Sequence, residues 1–287
     1  MHQPGITEKN DCTGWHGSLD LVYGYRQGTT RVIHDRAQAP LKVQRPFYPE
    51  GREICHSIVL HTAGGMVGGD RNQLNFHLQP QAKALITTPA ASKIYRSNQL
   101  EARQTIEMQI DAGACLEWLP QETIVFNGAI YRQDLRVELA PEAIWLGWEI
   151  TRFGRTARGE RFLQGEWRSH TEVWQQAHPL WIDRQWLKGG EAIDSPHGLA
   201  GQPIVASLAW LGQPVSPELV EKVRSWKHNL EADKTMKYGV TRLPSGLLCR
   251  YRGSSTTEVR NWFTAVWQLL RINFFGRPSC PPRVWQI

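Results

Sequence analysis

The chain of 287 residues has no apolar run near the roughly 18 residues needed to span a bilayer. Its first residues, MHQPGITEKNDC, lack the basic-then-apolar layout of a secretion signal. Cysteine is sparse: five, at 12, 55, 115, 249 and 280, odd in number and widely spaced. That pattern leads us to expect reduced thiols in a cytoplasmic protein rather than a disulfide framework. The absence of any Cys-x-x-Cys pair argues against a structural zinc site. His-Glu-x-x-His and the Gly-x-Ser-x-Gly elbow are missing too, so neither zinc-protease nor acyl-transfer chemistry is supported. A net charge of +6 is not concentrated in any dense basic run, and no nucleic-acid-binding motif accompanies it.

Glycine is abundant in one place, His61-Thr-Ala-Gly-Gly-Met-Val-Gly-Gly-Asp-Arg71, where Gly64, Gly65, Gly68 and Gly69 fall within six positions. Gly64 and Gly69 have the Gly-x-x-x-x-Gly spacing of a phosphate loop. Asp70-Arg71 follows, however, where Lys and then Ser or Thr would be required, and a carboxylate there repels phosphate. The Gly-x-Gly of a dinucleotide fingerprint is absent as well. The segment therefore reads as something other than a nucleotide site.

Alternating apolar residues dominate the first 150 positions. Leu19, Leu21, Tyr23 and Tyr25, then Gln27-Gly28, then Thr30, Val32 and His34 form a hairpin signal. Three later segments share one pattern: Leu74, Phe76, Leu78 with Pro80 and Ala82; Ile106, Met108, Ile110 with Ala112 and Ala114; Leu135, Val137, Leu139 with Pro141 and Ala143. From Leu78 to Ile110 is 32 residues, and from Ile110 to Leu139 is 29. A two-strand unit of that length with a small-residue corner predicts stacked, solenoid-like sheets. A β-sandwich with evenly spaced turns is the alternative, and the Ala recurring four residues after each strand favours the coil. After Glu149 the repeat fades.

The C-terminal part changes character. Ser216-Pro217-Glu218 opens a helix with the stripe Leu219, Val220, Val223, Trp226 and Leu230. Ser255-Thr-Thr-Glu258 opens a second, with Val259, Trp262, Phe263, Val266, Trp267, Leu269 and Leu270 on one face, ending near Gly276. Residues 239–243 and 247–251 predict a hairpin between them. The fold expected is thus mainly β: helicoid, solenoid-like stacked sheets with a small two-helix plus hairpin α+β element at the C-terminal end. The organisation expected is a flexible tail over 1–13 and one domain over 14–287. Within that domain the β body covers about 14–210, the helix–hairpin–helix element about 216–276 and a Pro-rich tail 277–287.

Cys55, His56 and His61 draw attention as soft-metal ligands. On a strand, Cys55 and His61 share a face but lie about 20 Å apart, so they cannot hold one ion together without a bend. Glu117, Glu149 and Asp183 stand in apolar surroundings, and each needs a partner or a cation if buried. Arg152, Arg155 and Arg184 are close in sequence and available to neutralise them. Oxygen and imidazole donors with little thiolate suit transient handling of a borderline divalent ion such as Ni²⁺.

Taken in order, the motifs resemble the urease accessory protein D family over nearly the whole chain. They are Val43-Gln-Arg-Pro-Phe-Tyr-Pro-Glu50, Cys55-His56, the His61–Asp70 glycine segment, Ala91-Ser-Lys-Ile-Tyr-Arg96 and Leu116-Glu-Trp-Leu-Pro-Gln-Glu122. Trp148-Glu149, Gly154-Arg155, Gly159-Glu160 and Pro282-Arg-Val-Trp285 complete the set. Thr62-Ala63 departs from the Pro-Pro usual in the family, which affects loop rigidity more than chemistry. The resemblance implies a scaffold and not an enzyme, one that binds accessory proteins F and G (the latter a GTPase) and docks them on apo-urease. Its implied traffic is Ni²⁺ in transit through an internal tunnel, with no cofactor held tightly, no nucleic acid and no membrane. It further implies that Asp70, Glu149 and Asp183 line the metal path and that the glycine segment is a structural turn presenting Asp70. The prolines keep the tail extended, so Arg277, Pro278, Pro282, Arg283 and Trp285 are candidate partner contacts. A carboxylate hydrolase on a β-helical fold is the rival reading, and it needs two acids roughly 5–10 Å apart.

Overall fold

The computed structural model describes residues 14–226 and 236–286. Within them two sheets face each other. One contains β1 (His16–Arg26), β2 (Thr29–Gln38), β5 (Arg71–Leu78), β8 (Ala102–Ile110), β11 (Ile130–Leu139), β13 (Glu166–Gln175) and β14 (His178–Lys188). The other contains β3 (Leu41–Val43), β4 (Ile54–His61), β6 (Lys83–Thr87), β9 (Cys115–Leu119) and β12 (Ile144–Phe153). It continues with β15 (Ile204–Leu211), β16 (Lys237–Leu243) and β17 (Gly246–Gly253), while β7 (Ser92–Ile94) and β10 (Thr123–Val125) extend it beside β12.

The chain shuttles between the sheets, so each sheet is parallel through its middle: β1, β5, β8, β11 and β13 in one, β4, β6, β9 and β12 in the other. The three apolar triplets stack in register. Leu21, Phe76, Met108, Val137 and Val173 occupy one rung across the first sheet. Their side chains meet Cys55, Ala84, Ile86, Leu116 and Trp118 of the second sheet in a common core. Ala82, Ala114 and Ala143, the recurring corner alanines, are fully buried there. Each follows a residue in the left-handed region: Gln81 (φ 65), Gly113 (φ 67) and Glu142 (φ 63). The corner is a tight reversal whose exit residue turns straight into the core, which leaves room for a methyl group and little else.

The coil extends beyond the three legible repeats. β1 and β13 add a parallel strand at either end, and β14 closes the sheet antiparallel. The fading after Glu149 reflects β13 itself, where Thr171 and Gln175 take the places of Leu135 and Leu139.

Helix α1 (Pro217–Ser225) starts where Ser216 Oγ accepts from Leu219 N at 3.2 Å. Helix α2 (Thr256–Phe275) is capped by Ser255 Oγ, which accepts from Glu258 N at 3.2 Å, and ends at Gly276 with φ 63. Leu219, Val220 and Val223 are buried, whereas Leu230 of the expected stripe lies outside the described residues. So does the tail expected over 1–13. Trp262, Phe263, Val266, Trp267 and Leu270 pack on the outer face of the second sheet with Leu146, Trp148, Leu208 and Trp210. The hairpin between the helices is not a separate layer. β17 pairs with β15, so the hairpin widens the second sheet, and only the helices stand outside it.

Candidate functional site

The glycine segment joins β4 to β5, and several of its amides are engaged within the fold. Gly64 N donates to His61 O, Met66 N to Lys93 O, Gly69 N to Glu101 O and Asp70 N to Val67 O. Val67 N donates to Asp70 Oδ2 at 2.8 Å, and Trp15 N to Asp70 Oδ1 at 2.9 Å. Gly65 is required sterically: its φ is 152, and a Cβ would sit 2.6 Å from Lys93 O. Asp70 is buried, and both its oxygens serve the backbone of the turn.

Beside this turn the two sheets part around a cavity of about 220 Å³. Its apolar wall includes Leu74, Ile106, Leu135 and Trp118, but a polar line crosses it. Asn72, Gln104, Gln133 and Ser169 occupy one rung of β5, β8, β11 and β13, four residues before the rung of Phe76, Met108, Val137 and Val173. Neighbouring strands are about 4.8 Å apart, so three steps carry this line some 14 Å along the coil. Gln104 Nε2 donates to Gln133 Oε1 at 3.2 Å, and Gln133 Nε2 donates to Glu149 Oε1 at 2.9 Å. Ser169 Oγ lies 3.1 and 3.0 Å from the two Glu149 oxygens. Tyr131 Oη donates to Gln133 Oε1 at 3.2 Å.

Glu149 has no cationic partner among these contacts. Burial pushes its carboxyl up, the Ser169 hydrogen bond opposes that, and the Asp183 charge adds to the rise, leaving it at about 7. It therefore takes up and releases a proton near neutrality. Towards the glycine turn, His61 and Asn72 also line the cavity, and their buried polar side-chain atoms have no hydrogen-bond partner among the described residues.

Of the three acids expected on a metal path, Glu149 alone is among the cavity-lining residues. Asp183, on β14, pairs with Arg250 Nη2 at 3.0 Å and accepts from Gln185 Nε2 at 2.8 Å. It reaches Glu149 through its field. Asp70 acts likewise on His61, whose imidazole burial pushes down and the Asp70 charge partly restores. Among the described residues no group of three or more His, Cys, Asp or Glu side chains converges as a metal cage.

Sequence proximity misassigned the neutralising arginines. Arg152 donates to Thr256 Oγ1, Arg155 pairs with Glu160 and Arg184 with Glu172. The partner of Glu117 is Arg271, far along the chain on α2. Arg271 Nε and Nη2 donate to the two Glu117 oxygens at 2.8 and 3.0 Å, and its other nitrogen bonds go to Glu50 and to Pro278 O. Trp267 Nε1 donates to Glu117 Oε1 at 2.7 Å, and His56 Nε2 lies 2.7 Å from Glu50 Oε1. Burial works against the ionised Glu50, but His56 and Arg271 outweigh it and hold the carboxyl at about 2. His56 is thereby committed to Glu50, while Cys55 faces the inter-sheet core.

The tail lies on its own body. Arg277 pairs with Glu53 at 2.8 Å, Pro278 O accepts from Arg271, and Pro282 is buried. Trp285 donates to Thr87 Oγ1 at 2.9 Å and packs against Trp148 and Trp267. Arg283 is exposed.

Comparison with known proteins agrees with this picture. A family model described as UreD urease accessory protein matches residues 16–286. A protein of Nostoc punctiforme named urease accessory protein UreD is 71% identical over 98% of this chain and 100% of its own length. Proteins of the same name from Acaryochloris marina and Methylobacillus flagellatus are 57% and 40% identical, covering 98% and 94% of this chain and 99% and 94% of their own. The name is that of an accessory factor and not of an enzyme. The chain belongs to the UreD family of urease accessory proteins.

Proposed function

We propose that the chain is a non-catalytic scaffold of urease maturation that binds the accessory proteins F and G and apo-urease, and lets nickel pass through its body. The observation carrying this reading is the polar line Asn72–Gln104–Gln133–Glu149 inside an otherwise apolar coil. Folding gains nothing from burying such groups in a dry core, and a route for a hydrated divalent ion requires them. Carboxamide, hydroxyl and carboxylate oxygens suit such an ion, and their low charge favours onward release over retention. Glu149 supplies the one ionisable group of this line, and a cation arriving beside it takes the place of its proton.

The rival hydrolase reading needs two acids free to act in opposed roles, whereas Asp183 is engaged by Arg250 and Gln185. Nucleic-acid binding is disfavoured by the outer face of the first sheet. There Arg103 and Arg132 pair with Asp134, Arg168 with Glu166, and Arg136 and Arg184 with Glu172, so carboxylates are interleaved with the arginines and offset their charge. No helix among the described residues is long and apolar enough to cross a membrane. We place the protein in the cytoplasm as part of the same proposal.

The test is affinity purification of the tagged chain from cells expressing the urease operon. Urease subunits and a GTPase should co-purify in stoichiometric amounts. Recovery of the chain alone, at any salt concentration, would refute the scaffold.

A further inference from the structure

The outward positions of β11 hold Arg132, Asp134, Arg136 and Glu138, with a buried residue between each pair. Read backwards, this series exchanges every positive position for a negative one. Such a strand is complementary to itself. Laid antiparallel over a second copy, Arg132 meets Glu138 and Asp134 meets Arg136, and two-fold symmetry makes each contact twice.

The strands on either side, β8 and β13, lie in register with β11 and obey the same rule. Reversal sets His170 against Glu172 and Arg168 against Trp174 on β13, and Thr105 against Glu107 and Arg103 against Gln109 on β8. No like charges meet on these three strands. On β5, Arg71 comes opposite His77, which is held 2.9 Å from Asp111. The ion pairs within the chain, such as Arg132 with Asp134 at 2.8 Å and Arg136 with Glu172 at 3.2 Å, lie at the surface. Pairs of that kind contribute little to the fold, so sharing them across an interface costs little.

The same face also carries large apolar side chains. Ile182 and Trp186 of β14 are 42% and 64% exposed and stand beside Glu172 and Arg168. From β1 to β14, over seven residues of each strand, the face measures about 29 by 23 Å, or roughly 650 Å². A standard stable complex covers about 800 Å² on each partner, so a surface of this size and charge suits a weak, salt-sensitive contact.

We infer that the outer face of the first sheet is a self-association surface, on which a second copy of this chain docks face to face about a two-fold axis centred on β11. The dimer covers Ile182 and Trp186 at its margin and is held by opposite charges at its centre. It requires neither nickel nor another maturation protein, so its test is independent of the scaffold reading.

The experiment is sedimentation velocity of the purified full-length chain over a concentration series, in about 50 mM and about 500 mM NaCl. Wild type should dimerise in low salt and dissociate in high salt. Asp134→Arg and Arg136→Glu, each alone, bring two pairs of like charges together, and each should weaken the dimer about tenfold or more, with circular dichroism unchanged. Mixed in equal amounts, the two variants are complementary again, because the new cation of one faces the new anion of the other. The mixture should recover the strength of the wild-type dimer, which apolar stickiness does not predict. A wild-type chain that stays monomeric in low salt, a dimer indifferent to salt, or a mixture no stronger than either variant alone would overturn the surface. If either variant does not fold, the wild-type chain and its response to salt decide.

Discussion

Arg271 of α2 and Glu117 of β9 form a bidentate pair, with contacts of 2.8 and 3.0 Å between residues 154 positions apart, both almost wholly buried. The guanidinium also reaches Glu50 and the Pro278 carbonyl, so one side chain ties the helix, the second sheet, the loop before β4 and the tail. Removing one partner strands charge without solvent. Arg271→Met should destabilise the fold by about 3–5 kcal/mol, read as a lower urea midpoint in tryptophan fluorescence. Glu50 adds an acid-side effect: its carboxyl is held at about 2, so its contribution is complete above the ordinary carboxylate range and is lost as pH falls from there towards 2.

Glu149 titrates with the opposite sign. Its carboxyl is raised to about 7, so the folded state binds its proton more tightly than the unfolded chain does. Stability from this group is complete below the ordinary carboxylate range and falls as pH rises from there through 7. Glu149→Gln removes the penalty. Relative to wild type it should gain up to about 3 kcal/mol at pH 8 and little at pH 4. Urea midpoints of both proteins across that pH range check the divergence.

Asp70 is a turn-former whose field reaches the cavity. Asp70→Ala removes the acceptor of the Val67 and Trp15 amides, on residues that are themselves exposed, at a cost of about 0.5–1.5 kcal/mol for each lost hydrogen bond. Hydrogen exchange at those two amides should quicken by an order of magnitude or more. Asp70→Asn keeps one acceptor oxygen and should protect one of them.

The tail separates into residues used at home and one that faces outward. Trp285→Ala removes the contact with Trp148 and Trp267 and the bond to Thr87, and should cost about 2–4 kcal/mol. Arg283→Ala should leave stability unchanged, because its side chain is exposed. Size-exclusion chromatography of the complex proposed with the F protein then tests the tail as an interface. Loss of complex in Arg283→Ala supports the contact, and an unchanged elution profile removes Arg283 from it.

Much of the scaffold is legible in sequence because it repeats. Triplets such as Leu74-x-Phe76-x-Leu78 and the corner alanines state the strand, its buried face and its turn within a few residues, and both helices declare their caps. The polar line is written in the same phase: Asn72, Gln104 and Gln133 each precede their triplet by two positions. An amide where the pattern calls for an inward apolar side chain is the signal that could have found the cavity. Arg271 carried no such signal. Its pairing with Glu117 depends on where α2 lands on the second sheet, which no local spacing encodes. Asp70 was misleading for a related reason: an acid after glycines looks like a presented ligand until its oxygens are found on the backbone.

The most direct test of the transit account is the nickel content of urease matured with the Glu149→Gln chain. Gln preserves the size of the side chain and keeps an acceptor for Gln133 and Ser169, so complex formation should be unaffected. Urease co-expressed with this variant and the other accessory proteins is isolated, and nickel per active site is measured beside the yield of the maturation complex. The account predicts nickel and activity reduced several-fold with the complex intact. Full nickel occupancy in urease matured by the Glu149→Gln chain would contradict it.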